Sequence, residues 1–295
     1  MKPVSIPISA APGDTQHQDD ELQFVEMPRG MMTFSMPDVP EHADATTLLD
    51  ACRVLQTLLT AVENWAFSER AAGPRCDIFD LSQEVLDVLN GVLGEGEVSA
   101  RVEDAQSGRN ISVQESVFPG LWRVREFDAA GQETAHWIEA GAMPRVVVES
   151  AQQSSAPDFP TITLPDETMN AAALFVEMNE QLKKFDPDAA AYVINLTLLP
   201  LNPADYDALL LALPVGPVAI MSRGFGSCKV SSTGVRHIWR VQHFNNKNHL
   251  ILNTLTITEC PREVCAAQED IDDMKERLAD LLAWMRDCAQ DQQVQ

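Results

Sequence analysis

The sequence predicts an α+β protein of two similar repeated halves, each an antiparallel sheet with two helices, plus a C-terminal helix. Three observations predict it. The first is a repeat. Trp122, Arg123, Val124, Phe127, Pro144, Arg145 and Val147 recur as Trp239, Arg240, Val241, Phe244, Pro261, Arg262 and Val264 at a constant offset of 117. Upstream, Gly94 to Val98 aligns with Pro214 to Val218 at an offset of 120. Self-similarity at a fixed spacing means that one structural unit occurs twice. The second is that short alternating runs bounded by Gly, Asn and Asp follow one another in each half, as antiparallel strands do. The third is that longer runs with apolar steps of three and four residues precede those strands, as amphipathic helices do.

Taken in order, residues 1–44 are proline-rich without a sustained period and read as a flexible arm, with one short docked piece at Met31 to Met36. Leu48, Leu49, Cys52, Leu55, Leu59 and Val62 make 46–66 a helix, with Thr46 or Thr47 at its start. Asp77 to Leu81 reads as a short strand and Leu81 to Leu93 as a helix closed by Gly94. Strands follow at Val98 to Val102, Ile111 to Val113, Gly120 to Phe127 and Thr134 to Glu139, with Asp128 to Gly131 as a turn. The first repeat thus spans 45–149, and the composition of 150–167 is that of a linker.

The second repeat, 168–266, has the same order. Thr168 to Phe185 is a helix, Tyr192 to Thr197 a strand and Pro203 to Leu213 a helix. Val218 to Met221, Lys229 to Ser232, Val235 to Phe244 and Leu250 to Thr258 are strands. Asn245 to Asn248 forms a hairpin turn, because Asn tolerates the positive φ such turns need. A last helix within 267–289 carries Ile271, Met274, Leu278, Leu282 and Met285 on one face. It is expected to cover the second half's sheet or the seam between halves.

The composition narrows the function. A net charge of −23 over 295 residues repels nucleic-acid phosphates and anionic lipid. It serves solubility, or presents an acidic face to a basic partner segment. No apolar run reaches the ~20 residues of a membrane span. The N-terminus lacks the basic start and apolar stretch of a signal peptide, so a cytoplasmic protein is expected. Six scattered cysteines without a C-x-x-C form no disulfide framework.

Several motifs could bind. Alternation over Val235 to Phe244 puts Arg236, Ile238, Arg240 and Gln242 on one face. That face is either a basic surface for a partner's carboxylates or a solvated ion-pair ladder. Trp122 and Trp239, at equivalent places, read as core. Arg223, Gly224, Phe225, Gly226 and Ser227 form a glycine-rich turn, either a plain hairpin loop or a loop presenting Phe225 to a partner. It lacks the strand–loop–helix setting and Lys of a phosphate cradle. Cys228, Cys260, Cys265, His237, His243 and His249 lack metal-site spacing, so no resident metal or cofactor is expected. No G-x-S-x-G, H-E-x-x-H or framed Cys–His pair marks an enzyme.

The stretch Leu93 to Ser99, with Gly120 to Arg125, resembles the HupH/HyaF/HoxQ hydrogenase expression/formation proteins. Gly216-Pro217, Arg223 to Gly226, Thr233 to Trp239 and Ala266 to Ile271 extend the resemblance over roughly 75–285. Pro214 departs from it, standing where relatives often have a glycine. The resemblance implies a non-catalytic maturation factor that holds the iron–sulfur small subunit of an uptake [NiFe] hydrogenase as a chaperone. The partners it implies are the small-subunit precursor, whose twin-arginine signal is basic, and a thioredoxin-like maturation protein. The contact residues expected are Arg223, Phe225, Arg236 and His237, with Gly224 and Gly226 shaping the surface. The alternative is an iron–sulfur assembly or repair scaffold holding a cluster through Cys228, Cys260 and Cys265.

Overall fold

The computed structural model describes residues 43–104, 108–224 and 226–294. The arm through residue 42, its piece at Met31 to Met36, and Phe225 lie outside them. Among the described residues, ten antiparallel strands form one continuous sheet, flanked by helices. The elements are α1 (Ala45–Glu63), β1 (Arg75–Asp77), α2 (Gln83–Leu93), β2 (Val98–Asp104), β3 (Arg109–Glu115), β4 (Leu121–Phe127), β5 (Glu133–Ala140) and α3 (Arg145–Gln153). Then come α4 (Ala171–Lys183), β6 (Tyr192–Asn195), α5 (Pro203–Ala212), β7 (Val215–Ser222), β8 (Ser227–Thr233), β9 (Ile238–Phe244), β10 (Leu250–Ile257), a short 3-10 turn (Arg262–Val264) and α6 (Gln268–Val294).

Local chemistry sets the element ends. The Asp44 side chain accepts the Thr47 N–H at 2.7 Å, and Ser82 accepts the Val85 N–H at 3.4 Å, each satisfying a free donor at a helix start. Asn202 and Asp205 make a reciprocal capping box around Pro203. Asn248 takes φ +59° in the β9–β10 turn, the left-handed geometry expected there.

The strand order is β1-β5-β4-β3-β2-β7-β8-β9-β10-β6. Read inward from either edge, each half has its short first strand outermost, then its last strand, and its second strand at the centre. The halves meet where β2 pairs with β7, Ala100 opposite Ile220. They therefore share one sheet.

Trp122 and Trp239 are fully buried on one sheet face, in a core with Val98, Val124, Val218, Val241 and Val147 of α3. On the opposite face lie two separate cores. One packs α1, α2 and α6 on Leu121, Ile138 and Ala140. The other packs α4 and α5 on Ile238, Leu255 and Ile257.

Two expectations are corrected. The stripe of α6, Ile271 to Met285, covers the first half, against α1, rather than the second half or the seam. The second half is already roofed by α4 and α5. The broad apolar face of α1 still needs a partner, and Arg277 of α6 reaches the Val117 carbonyl at 3.0 Å. The start of the span read as a linker is ordered by contacts. α3 runs to Gln153, and the Ser155 hydroxyl donates to the Thr233 carbonyl at 2.7 Å.

Candidate functional site: a cation-bearing sheet face

Register identifies which side chains share the face between the two helical layers. One row runs Arg125, Ser112, Arg101, Ala219, Ser231, Arg240 from β4 to β9. The next runs Arg123, Gln114, Ser99, Met221, Lys229, Gln242. On β2, β3, β7 and β8 these residues join none of the three cores. The middle of this face is polar and cation-bearing, while its two ends lie under helices.

The cations differ in their company. Arg125 pairs with Glu133 at 2.7 Å, and Arg123 donates to Asn90 of α2. Lys229 lies 4.7 Å from the Phe244 ring centroid. Arg101 is half-buried, and its Nε is enclosed with no hydrogen-bond partner. Arg101, Lys229 and Arg223 make no ion pair among the described residues.

At the α2 side a cavity of about 400 Å³ opens between α2 and the sheet. Asn90, Glu95, Arg123, Arg125, Glu133 and His136 line it. His136 is 6% exposed, and its Nδ1 stands 3.1 Å from Glu133. Burial lowers its pKa below the usual imidazole value, against the pull of Glu133. The neutral ring then donates from Nδ1 to the carboxylate, leaving Nε2 as an acceptor. Nε2 and Glu95 Oε2 are both buried without a partner among the described residues.

The expected contact residues do not form one cluster. Arg223, Gly224 and Gly226 lie in the β7–β8 hairpin, and Arg236 and His237 in the β8–β9 connection at the other end of β8. The seven residues of β8 separate these loops by roughly 20 Å. Arg223 contacts Met221 Sδ at 2.7 Å, which sets it at the rim of the cation-bearing face. A side chain at Gly224 would crowd Glu97. Gly226 has φ +98°, and a Cβ there would lie 2.8 Å from the Phe244 carbonyl oxygen.

Arg236 and His237 instead tie the fold together. Arg236 Nε donates to the Gln152 carbonyl at 3.1 Å, and the His237 ring stacks on Phe185 at 3.9 Å. His237 has φ +66°, so the strand starts only at Ile238. The expected basic, exposed face of Arg236, Ile238, Arg240 and Gln242 is also corrected. Arg240 is 4% exposed, and burial lowers its pKa to about 10 despite nearby Tyr206. The cations accessible on this face come from other strands.

For the cysteine alternative, the Cys260 and Cys265 sulfurs lie 3.4 Å apart. Cys228 is buried, its thiol pushed up to about 12, with its sulfur 4.0 Å from His243 Nε2. Among the described residues, no three His, Cys, Asp or Glu side chains converge as metal ligands. Likewise, no described helix is long and apolar enough to cross a membrane.

The conserved region described as HupH hydrogenase expression protein, C-terminal conserved region, matches residues 48–157 and 168–285. The chain belongs to the HupH hydrogenase expression protein family. The hydrogenase expression/formation protein HoxQ of Cupriavidus necator is 37% identical, covering 97% of this chain and 99% of that one. HupH of Rhodobacter capsulatus is 32% identical over 95% and 97%. The hydrogenase-1 operon protein HyaF of Escherichia coli is 29% identical over 93% and 95%. Among solved structures, the HupH protein of Thiobacillus denitrificans covers 39% of this chain and 95% of its own, at 24% identity and TM-score 0.36.

Sequence reasoning missed Arg101 and Lys229. Strand alternation puts Arg101 opposite to the core-facing Ala100 and Val102, which was a usable signal. Only the register across β2, β7 and β8 shows that it shares a face with Lys229.

Proposed function

We propose that this chain is a non-catalytic hydrogenase maturation factor that binds the iron–sulfur small subunit and holds it until it joins the large subunit. Family membership supports the maturation role. The observation that carries a binding role is the sheet face itself. Four central strands present a polar surface that belongs to none of the three cores, and its Arg101 and Lys229 form no ion pair among the described residues. A cation-bearing floor whose Arg101, Ser112, Gln114 and Lys229 are partly accessible, flanked by helices, suits recognition of a partner. Arg223, with Gly224 and Gly226 of the same hairpin, stands at its rim and contributes to the same contact.

The test is purification of the tagged full-length chain from cells producing the hydrogenase. The small-subunit precursor is expected to co-purify, with and without its signal segment. Recovery of the large subunit without the small one, or of neither, contradicts the proposal.

A further inference from the structure

The cations on the central face are out of keeping with the chain that carries them. The protein has 44 Asp and Glu against 21 Lys and Arg, yet Arg101, Lys229 and Arg223 stand together without an ion pair among the described residues. Their setting makes the absence of a partner costly. Arg101 Nε is enclosed and has neither water-facing surface nor acceptor. The Nη atoms of Arg101 are not enclosed in this way and form no hydrogen bond among the described residues, so they are the part of the guanidinium that a partner's anion can meet. Its nearest neighbours by register are Ser112 on one side and Ala219 on the other, which supply no charge. Glu103 shares this face two residues along β2, but it forms no ion pair with Arg101 among the described residues.

The spacing is informative. Arg101 lies opposite Ala219, and Lys229 opposite Met221 on the far side of β7. The two cations are thus two strands and two residues apart, roughly 12 Å on standard sheet spacing. Side chains four residues apart on one face of an extended segment are separated by roughly 13 Å.

We propose that this face docks an extended acidic segment of a partner protein, which sets two carboxylates, four residues apart, against Arg101 and Lys229. The hydroxyls of Ser112 and Ser231 supply neutral hydrogen bonds between them, and Arg223 takes a further carboxylate at the rim. Charge complementarity selects the occupant: a basic segment would be repelled, and an apolar one would offer carbonyl acceptors but no counter-charge to Arg101 and Lys229. The inference rests on the binding role proposed above and deepens it by naming the chemistry of the bound segment.

The experiment places the photo-crosslinker p-benzoylphenylalanine at Ser112 of the full-length chain in cells producing the hydrogenase. The crosslinked peptide is then identified by mass spectrometry. The expected product is a segment of another protein with Asp or Glu at positions four apart. Its yield should fall at least tenfold when Arg101→Glu and Lys229→Glu are combined, and also with the milder pair Arg101→Gln and Lys229→Gln. Melting curves for both pairs verify that the fold survives. A basic or apolar product, a crosslink to residues 1–42 of this chain or to a second copy, or no crosslink overturns the proposal. Small-subunit co-purification in the same cells separates the two claims. Co-purification without an acidic crosslink removes the docking site alone, whereas loss of both removes the binding role as well.

Discussion

Glu115 and Ser232 do the same work in the two halves of the sheet. The Glu115 carboxylate accepts the Val98 N–H at 3.3 Å, and the Ser232 hydroxyl accepts the Val218 N–H at 3.0 Å. Beside each is a glycine with no room for a side chain. A Cβ on Gly96 would lie 2.2 Å from the Ser116 carbonyl oxygen, and one on Gly216 would lie 2.7 Å from that of Thr233. The valines and glycines are related by the offset of 120, the acceptors by 117. The three extra residues of the first half therefore fall in the β2–β3 hairpin. We infer a duplicated unit. In a crystal structure, 77–147 is expected to overlay 195–264 strand for strand, and displaced Val98 and Val218 anchors would contradict it.

The exchange of Glu for Ser has a consequence for pH. Burial raises the Glu115 pKa from 4.5 to about 7, against the N–H groups of Gly120 and Val98. The folded state therefore holds a proton that the unfolded state releases between those values. Stability contributed by this group is full below about pH 4.5 and declines as pH rises toward 7, by up to about 3 kcal/mol. Relative to the parent protein, Glu115→Gln is expected to gain about 2 kcal/mol between pH 5 and pH 8. Urea unfolding at both pH values measures it, and an equal difference at both refutes it.

Asp205 behaves in the opposite sense. It is fully buried, and its two oxygens accept the N–H groups of Met169, Asn170, Ala171 and Asn202 at 2.9–3.0 Å. Burial pushes its pKa up, but these four donors outweigh it and hold the carboxyl below the usual value. Stability from this group is present above its unfolded pKa of 3.8 and lost as pH falls through the lower folded value. Asp205→Ala leaves the start of α4 uncapped and removes the Asp205 half of the α5 capping box, and about 3 kcal/mol of destabilisation is expected at pH 7. Chemical denaturation checks this, and a loss below about 1 kcal/mol would contradict it.

The docking of α6 on the first half can be isolated with two glycines of the same geometry. Gly120 and Gly131 both have φ +79°. A Cβ on Gly120 would lie 2.5 Å from Ile271 Cδ1, whereas one on Gly131 meets nothing within 4 Å. Both alanine substitutions incur backbone strain of about 1 kcal/mol. Gly120→Ala is expected to cost about 1–2 kcal/mol more, because it pushes α6 off the sheet. Thermal melts of the two variants compare them directly, and equal losses would show that the α6 contact yields freely.

The elements with strong local signals were legible in the sequence. The periodicity of α1, α4 and α6, the alternation of β4 and β9, and the Asn245 to Asn248 turn all follow from side-chain chemistry within one segment. The sequence repeat also indicated the buried tryptophans. α3 was hidden because Pro144 and a run of three valines, Val146 to Val148, point away from a helix. Tertiary packing of Val147 and Val148 on β2 and β7 overrides that preference. The site was less legible. Arg236 and Arg240 read as exposed only while their strand stood alone, and α3 and α5 enclose them. Arg101 and Lys229 are 128 residues apart in sequence and meet only through the β2–β7 pairing, which no local pattern specifies.

The central claim is that the polar face between the helical layers is where the partner is held. The most direct measurement is quantitative co-purification of the hydrogenase small subunit with two charge-reversal variants of the full chain. Arg101→Glu combined with Lys229→Glu reverses the face, while Arg262→Glu reverses an exposed charge elsewhere. Recovery is expected to fall at least tenfold for the first, which by the 1.4 kcal/mol per decade relation is a loss of at least about 1.4 kcal/mol of binding free energy. It should stay unchanged for the second. Equal recovery with both variants would place the contact elsewhere on the molecule.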